Sequence, residues 1–304
     1  MRPMIQMNFC QDVNNLARKR LIQFGFKEED VKKLENPLIN FFEYYMMHIP
    51  IKKRKVYKSD IFQCPKQYEK ALGDFIQKVK RGEDINPFLS NKKDTLTGKD
   101  LLLYDWNIYH FHLTRRYNRN GKPTRSNYLI FAACTDEAMY FIQIYKHQKK
   151  NVFVQKELLE IICRNWPQLT APYEMKEVFA GKITDEERLT IRNKNILTLN
   201  DIDGKTYFPP GGGYVSNGTS LKAVHLSDFL LNKMKNLEKW IFLNLISIRQ
   251  KYEETARQRL WGKQMAFYLV ACTEDDYILL ESCNHFIIYI QSNNSGFQIK
   301  RIKI

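Results

Sequence analysis

No run of eighteen apolar residues occurs in this chain, so no membrane-spanning helix is expected. The first twenty residues lack the apolar core of a signal peptide, because Asp12, Asn14, Asn15 and Arg18 interrupt them. A cytoplasmic, soluble protein with no membrane partner is the expectation. None of the six cysteines (Cys10, Cys64, Cys134, Cys163, Cys272 and Cys283) forms a C-x-x-C pair, which removes zinc-ribbon and thioredoxin readings. Cys134 and Cys272 lie in apolar runs and read as buried free thiols. No G-x-S-x-G, H-E-x-x-H or D-x-D-x-D-G occurs. The loop Gly211-Gly212-Gly213 has no following Gly-Lys-Ser/Thr, so it is not a Walker motif. It is either a phosphate cradle of backbone N–H groups or a tight loop. Acid is also in short supply: 33 Asp and Glu stand against 48 Lys and Arg, a formal charge of +15. That excess favours an acidic partner, nucleic acid first, unless it only covers solvated faces.

The 304 residues, 44% of them hydrophobic, suffice for a sizeable core. The pattern predicts an α+β protein. A helical N-terminal region covers residues 1–95. Leu16, Leu21 and Phe24 give one helical face, Pro37 opens a further helix, and residues 65–81 repeat apolar positions at helical spacing before Gly82. A small antiparallel β-meander with flanking helices fills 96–170, with strands over 108–116, 128–134 and 138–145. A C-terminal α+β region covers 171–304, with one long helix over 220–259 followed by antiparallel strands. Ala133-Cys134-Thr135-Asp136-Glu137 echoes Ala271-Cys272-Thr273-Glu274-Asp275, and His147 and His285 fall at the same offset, which would fit a second copy of the sheet.

His110 and His112 lie two apart in an alternating segment, so in a strand both point to one face while Phe111 and Leu113 point to the other. Arg125 opens the next strand, and Lys146-His147 closes the one after. Imidazole moves protons near neutral pH, and a guanidinium suits phosphate. His112 and His147 are therefore the candidate base and acid, in either order, for attack of a 2′-hydroxyl on the adjacent phosphodiester. His110 would orient or bind phosphate, and Arg125 and Lys146 would stabilise phosphoryl charge. Arg54, Lys55, Lys58, Arg115, Arg116, Arg119, Lys149 and Lys150 are the candidate contacts to nucleic acid. No cofactor is expected. The competing metal reading gives His110, His112, His147 and Asp105 to a divalent ion. Trp106 is read as a core residue or a base-stacking platform.

The stretch from Tyr109-His110-Phe111-His112-Leu113 to Val152-Phe153 resembles the sheet of RelE-like (BECR-fold) ribonuclease toxins. Those toxins read K-I-K-L, a glycine loop, Tyr-Arg, then a strand ending G-K-R or G-H-R and a V-Y pair. Here His110-Phe111-His112-Leu113, Gly121, Arg125, Tyr145-Lys146-His147 and Val152-Phe153 take those places. Histidines stand for lysines, and Phe153 lacks the tyrosine hydroxyl. The resemblance implies an endoribonuclease, a toxin or phage-defence effector acting on RNA, with a protein inhibitor or defence partner. The wider pattern of Asp105-Trp106, His110, His112 and Asn165-Trp166-Pro167 resembles an uncharacterised bacterial family that carries no function. The other classes are a non-catalytic nucleic-acid-binding module and an interaction subunit of a defence or toxin–antitoxin assembly.

Overall fold

The computed structural model describes residues 4–119, 121–256, 264–273, 276–291 and 297–301. In chain order the elements are β1 (Met4–Met7), α1 (Phe9–Gln23), α2 (Glu28–Lys32), α3 (Pro37–Met46), β2 (Lys55–Lys58) and α4 (Glu69–Arg81). Then come α5 (Leu101–Trp106), β3 (Ile108–His112), β4 (Tyr128–Cys134), β5 (Ala138–Lys146), α6 (Glu157–Asn165), β6 (Glu174–Met175), α7 (Asp185–Asn193), β7 (Asn200–Ile202) and β8 (Lys205–Tyr207). The chain ends with α8 (Leu221–Leu243), α9 (Leu245–Ala256), β9 (Gln264–Cys272), β10 (Asp276–Glu281), β11 (Phe286–Gln291) and β12 (Phe297–Arg301). The class is α+β. Among the described residues no helix is long and apolar enough to cross a membrane.

Strand pairing groups the chain differently from its linear segments. One compact unit joins Met1–Phe41 to His225–Ile304, and the other is Phe42–Val224. β1 pairs in parallel with β9, which draws the chain start to the C-terminal sheet. In that unit the sheet order is β1-β9-β10-β11-β12. Asp12 of α1 accepts from the Leu269 N–H at 2.8 Å. The fully buried Glu281 accepts from the Ala266, Cys283 and Asn284 N–H groups. The long helix expected over 220–259 is two helices. At the break the Asn244 amide donates to the Trp240 carbonyl, competing with the helical ladder. Residues 257–259 lie outside the described residues.

In the second unit the meander β3-β4-β5 is antiparallel and gains a fourth strand, β2, parallel to β5, giving the order β2-β5-β4-β3. Both faces of this sheet are covered, which explains the unbroken apolar run of β4. Leu72, Phe75 and Val79 of α4 recur at helical spacing and pack on Phe111, Ile130 and Phe141. Leu158, Leu159 and Ile162 of α6 pack on Leu129, Phe131 and Ile142. Gly82 ends α4 in the left-handed region at φ +72°, and a Cβ there would lie 2.7 Å from the Lys53 backbone nitrogen. Gly82→Ala is therefore expected to lower stability by at least about 1 kcal/mol, read as a shift in urea midpoint.

The internal echo is a shared turn and not a shared fold. Thr135 and Thr273 each donate their N–H across the turn, to Ala138 and Asp276, and each hydroxyl accepts in return. The parallel neighbour, however, flanks the second hairpin strand in one sheet and the first in the other. His285 sits in a left-handed turn at φ 59°, before β11, unlike His147. Glu274 and Asp275 lie outside the described residues.

Candidate active site

His110 and His112 stand on the α6 face of β3, while Phe111 and Leu113 enter the core under α4. Register carries the site across the sheet: His112 pairs with Leu129, which pairs with Tyr145, and His110 pairs with Phe131. His147 follows one step beyond β5, its N–H donating to the Asn127 carbonyl at 2.7 Å. The His112 and His147 rings lie 6.0 Å apart and nearly parallel, at 19°. Phe153 joins the set, 5.1 Å from the His110 ring and 5.8 Å from that of His147, edge-on to both. His110 and His147 thus flank one phenyl ring, and His112 stacks beside His147 on the same sheet face. Their exposure differs: His110 is 8% and His112 7% exposed, whereas His147 is open to solvent.

His112 Nδ1 faces both the Ser126 carbonyl at 3.2 Å and the Ser126 N–H at 3.3 Å, so either tautomer finds a partner. Burial pulls its pKa down to about 4, and the Arg125 guanidinium pushes the same way. Burial also lowers His110, against the opposing charge of Asp100. The nearest oxygen of Asp100 is 3.5 Å from His110 Nδ1, a distance of charge attraction, and this nitrogen makes no hydrogen bond. A histidine in an unfolded chain titrates near pH 6.5. Between about pH 4 and 6.5 the unfolded chain therefore binds a proton that folded His112 refuses, and acidification through that window favours unfolding. His112→Asn should lose about 2 kcal/mol less stability than wild type between pH 7 and 4.5 in urea titrations. Equal losses in the two proteins would contradict the burial argument.

The charged candidates scatter. Arg125 donates to the Leu89 carbonyl at 2.6 Å and to Asn91, which fixes its guanidinium beside the β3 edge. Lys146 is a correction. It pairs with Tyr128, whose ring packs on Tyr68 on the α4 side, so alternation turns it away from the three imidazoles. Lys149 takes the histidine side instead, its ammonium 3.7 Å from the Tyr145 ring centre and 3.7 Å from Glu157. The Tyr145 hydroxyl donates to Glu157 at 2.7 Å. Arg54 is a second correction. It is 5% exposed, and its guanidinium donates to the carbonyls of Thr135, Pro50 and Lys52, so it closes a loop and offers nothing to a phosphate. Lys55 and Lys58 are exposed, with Lys58 over the Phe62 ring. Arg115 pairs with Asp74 at 2.8 Å and Lys150 with Glu186 at 2.9 Å, while Arg116 and Arg119 are exposed on the loop before β4.

Asp105 does not join the histidines. It lies buried against Arg192, beside Arg188, Asn200 and Trp106. Trp106 is a core residue whose indole N–H donates to Asn200 at 3.2 Å, as does Arg188 at 2.8 Å. Arg192 also donates to the Phe153 carbonyl, tying this buried group to the residue whose ring His110 and His147 flank. Spacing gave no sign of that link, because Asp105, Phe153 and Arg192 are far apart in the chain. The glycine loop serves α5: the N–H groups of Gly211 and Gly213 donate to the Asp105 and Tyr104 carbonyls at 2.9 and 2.7 Å, so two donors of the supposed phosphate cradle are engaged.

Comparison of the chain with family models, curated proteins and solved structures finds no match. The functional reading rests on the residues themselves.

Proposed function

We propose that this protein is a metal-independent endoribonuclease in which His112 takes the 2′-hydroxyl proton and His147 protonates the leaving 5′-oxygen. The observation that carries it is the His112–His147 pair, 6.0 Å between ring centres on one sheet face. Two nitrogens so placed can each reach an oxygen on the same phosphorus, given a hydrogen-bond reach of about 2.6–3.2 Å. Burial keeps His112 neutral at neutral pH, the form a base needs. The 2′-oxygen bonds to phosphorus, the P–O5′ bond breaks, and the products are a 2′,3′-cyclic phosphate and a 5′-hydroxyl. Arg125, whose charge acts on His112, and Lys149, which packs on Tyr145 on the histidine side of the sheet, supply positive charge that opposes the charge developing on the phosphoryl oxygens. A phosphodiester beside His112 raises its pKa toward the working range by the opposite-charge effect. The role of toxin or phage-defence effector, with a protein that restrains it, belongs to the same proposal.

The test is incubation of purified protein with RNA in EDTA. Cleavage leaving cyclic phosphate ends supports the proposal, provided His112→Ala and His147→Ala each lower it by about 10²-fold or more and a 2′-deoxy substitution at the cut site blocks it. A second reading, a nucleic-acid-binding module without catalysis, is favoured by the low exposure of His110 and His112. Salt-dependent binding with no cleavage in any of these reactions would select it.

A further inference from the structure

The β2 edge carries a feature that the histidine chemistry does not use. Lys52, Lys53, Lys55 and Lys80 line an open cleft of about 750 Å³ beside that strand. A second cleft, of about 380 Å³, shares Lys55, Tyr57, Asp136 and Glu137 with the first. Tyr57 is 45% exposed. One face of its ring stacks on Tyr140 at 5.4 Å and 19°, and Tyr140 in turn packs edge-on against Trp166. The phenol is therefore held from behind and open in front. Lys52 pairs with Asp136 at 3.2 Å. Lys53, Lys55 and Lys80 make no ion pair among the described residues, and Glu137 is the only other carboxylate lining the larger cleft. Lysines on an edge strand also guard against strand pairing. That role does not account for Lys53, which lies before the strand, or for Lys80, which the last turn of α4 brings in. Gly82 makes this approach possible by letting the 52–53 backbone pass against the end of α4.

We propose that this cleft binds single-stranded nucleic acid, with a base stacked on the open face of Tyr57 and the backbone phosphates along Lys53, Lys55 and Lys80. A supported ring beside unpaired cations suits a flexible strand, whose bases are free to stack, better than a duplex or an acidic peptide. The site involves neither His112 nor His147 and stands or falls apart from the cleavage proposal.

The experiment is fluorescence anisotropy of the full chain with a labelled twelve-residue oligodeoxythymidylate, which has no 2′-hydroxyl to react, at several salt concentrations. Wild type should bind with an affinity that falls with salt by about 0.7 in log–log slope per phosphate contacted. Tyr57→Ala should weaken binding about ten-fold or more, and Tyr57→Phe should keep it. Lys53→Glu/Lys55→Glu should weaken binding and flatten the salt slope. In a His112→Ala/His147→Ala background Tyr57→Ala should weaken binding by the same factor, so a failed cleavage assay leaves this result intact. Wild-type affinity in Tyr57→Ala and in the lysine variant would overturn the proposal. So would displacement of the strand by a polyglutamate peptide that binds Tyr57→Ala equally well, which would make the cleft a protein-binding site.

Discussion

Asp105→Asn is expected to cost about 3–5 kcal/mol of folding stability, the loss that follows when one partner of a buried ion pair is removed. Asp105, Arg188 and Arg192 are each no more than 4% exposed. Burial pushes the Asp105 carboxyl up, and the Arg192 and Arg188 guanidinium groups pull it back. The Arg192 and Arg188 guanidinium groups lie over the Trp106 ring, at 4.8 and 5.3 Å. The Nε atoms of both arginines and Asp105 Oδ1 make no hydrogen bond, so the group is held as much by charge as by hydrogen bonds, and losing the carboxylate charge leaves two guanidinium groups uncompensated. Urea denaturation measures the loss. The double variant Asp105→Asn/Arg192→Gln should lose markedly less than the sum of the singles, because it removes both charges together. Additive losses would mean that the pair is not the unit of stability. The same variants bear on the candidate site, since Arg192 also holds the Phe153 carbonyl.

Local pattern reached as far as period and punctuation go. The helices at 69–81 and 157–165 announce themselves by apolar spacing, and the strands at 128–134 and 138–146 by their runs. His110 and His112 share a face because a strand has period two, which two residues are enough to state. Lys146 shows the limit of that argument. It is adjacent to His147, yet adjacency in a strand means opposite faces, so the pair Lys146-His147 divides between the two sides of the sheet. Arg54 shows another limit. Within a basic run nothing local distinguishes the one cation that turns inward, and three carbonyls scattered from Pro50 to Thr135 decide it. The pairing of β1 with β9 spans nearly the whole chain, and no window of local sequence contains both strands. The same holds for Arg192, whose two partners lie on different elements.

His112→Ala and His147→Ala are each expected to lower RNA cleavage by about 10²–10⁴-fold, the range of one positioned proton transfer. The double variant should lose little more than the worse single, because base and acid act in one step. A pH profile separates this from mere loss of structure. The acidic limb of kcat/KM reports the free protein, and it should fall near pH 4, where burial holds His112. Below that limb His112 is protonated and cannot accept the 2′-hydroxyl proton, so activity drops as pH falls. The acidic limb of kcat reports the complex, in which the bound phosphodiester favours the imidazolium, and should lie at higher pH. Arg125→Gln removes the positive charge that lowers His112 alongside burial, so it should raise the first limb slightly. A kcat/KM profile with its acidic limb at the ordinary histidine value, unmoved by Arg125→Gln, would transfer the base role from His112 to a more exposed group, and His147 is the exposed member of the three.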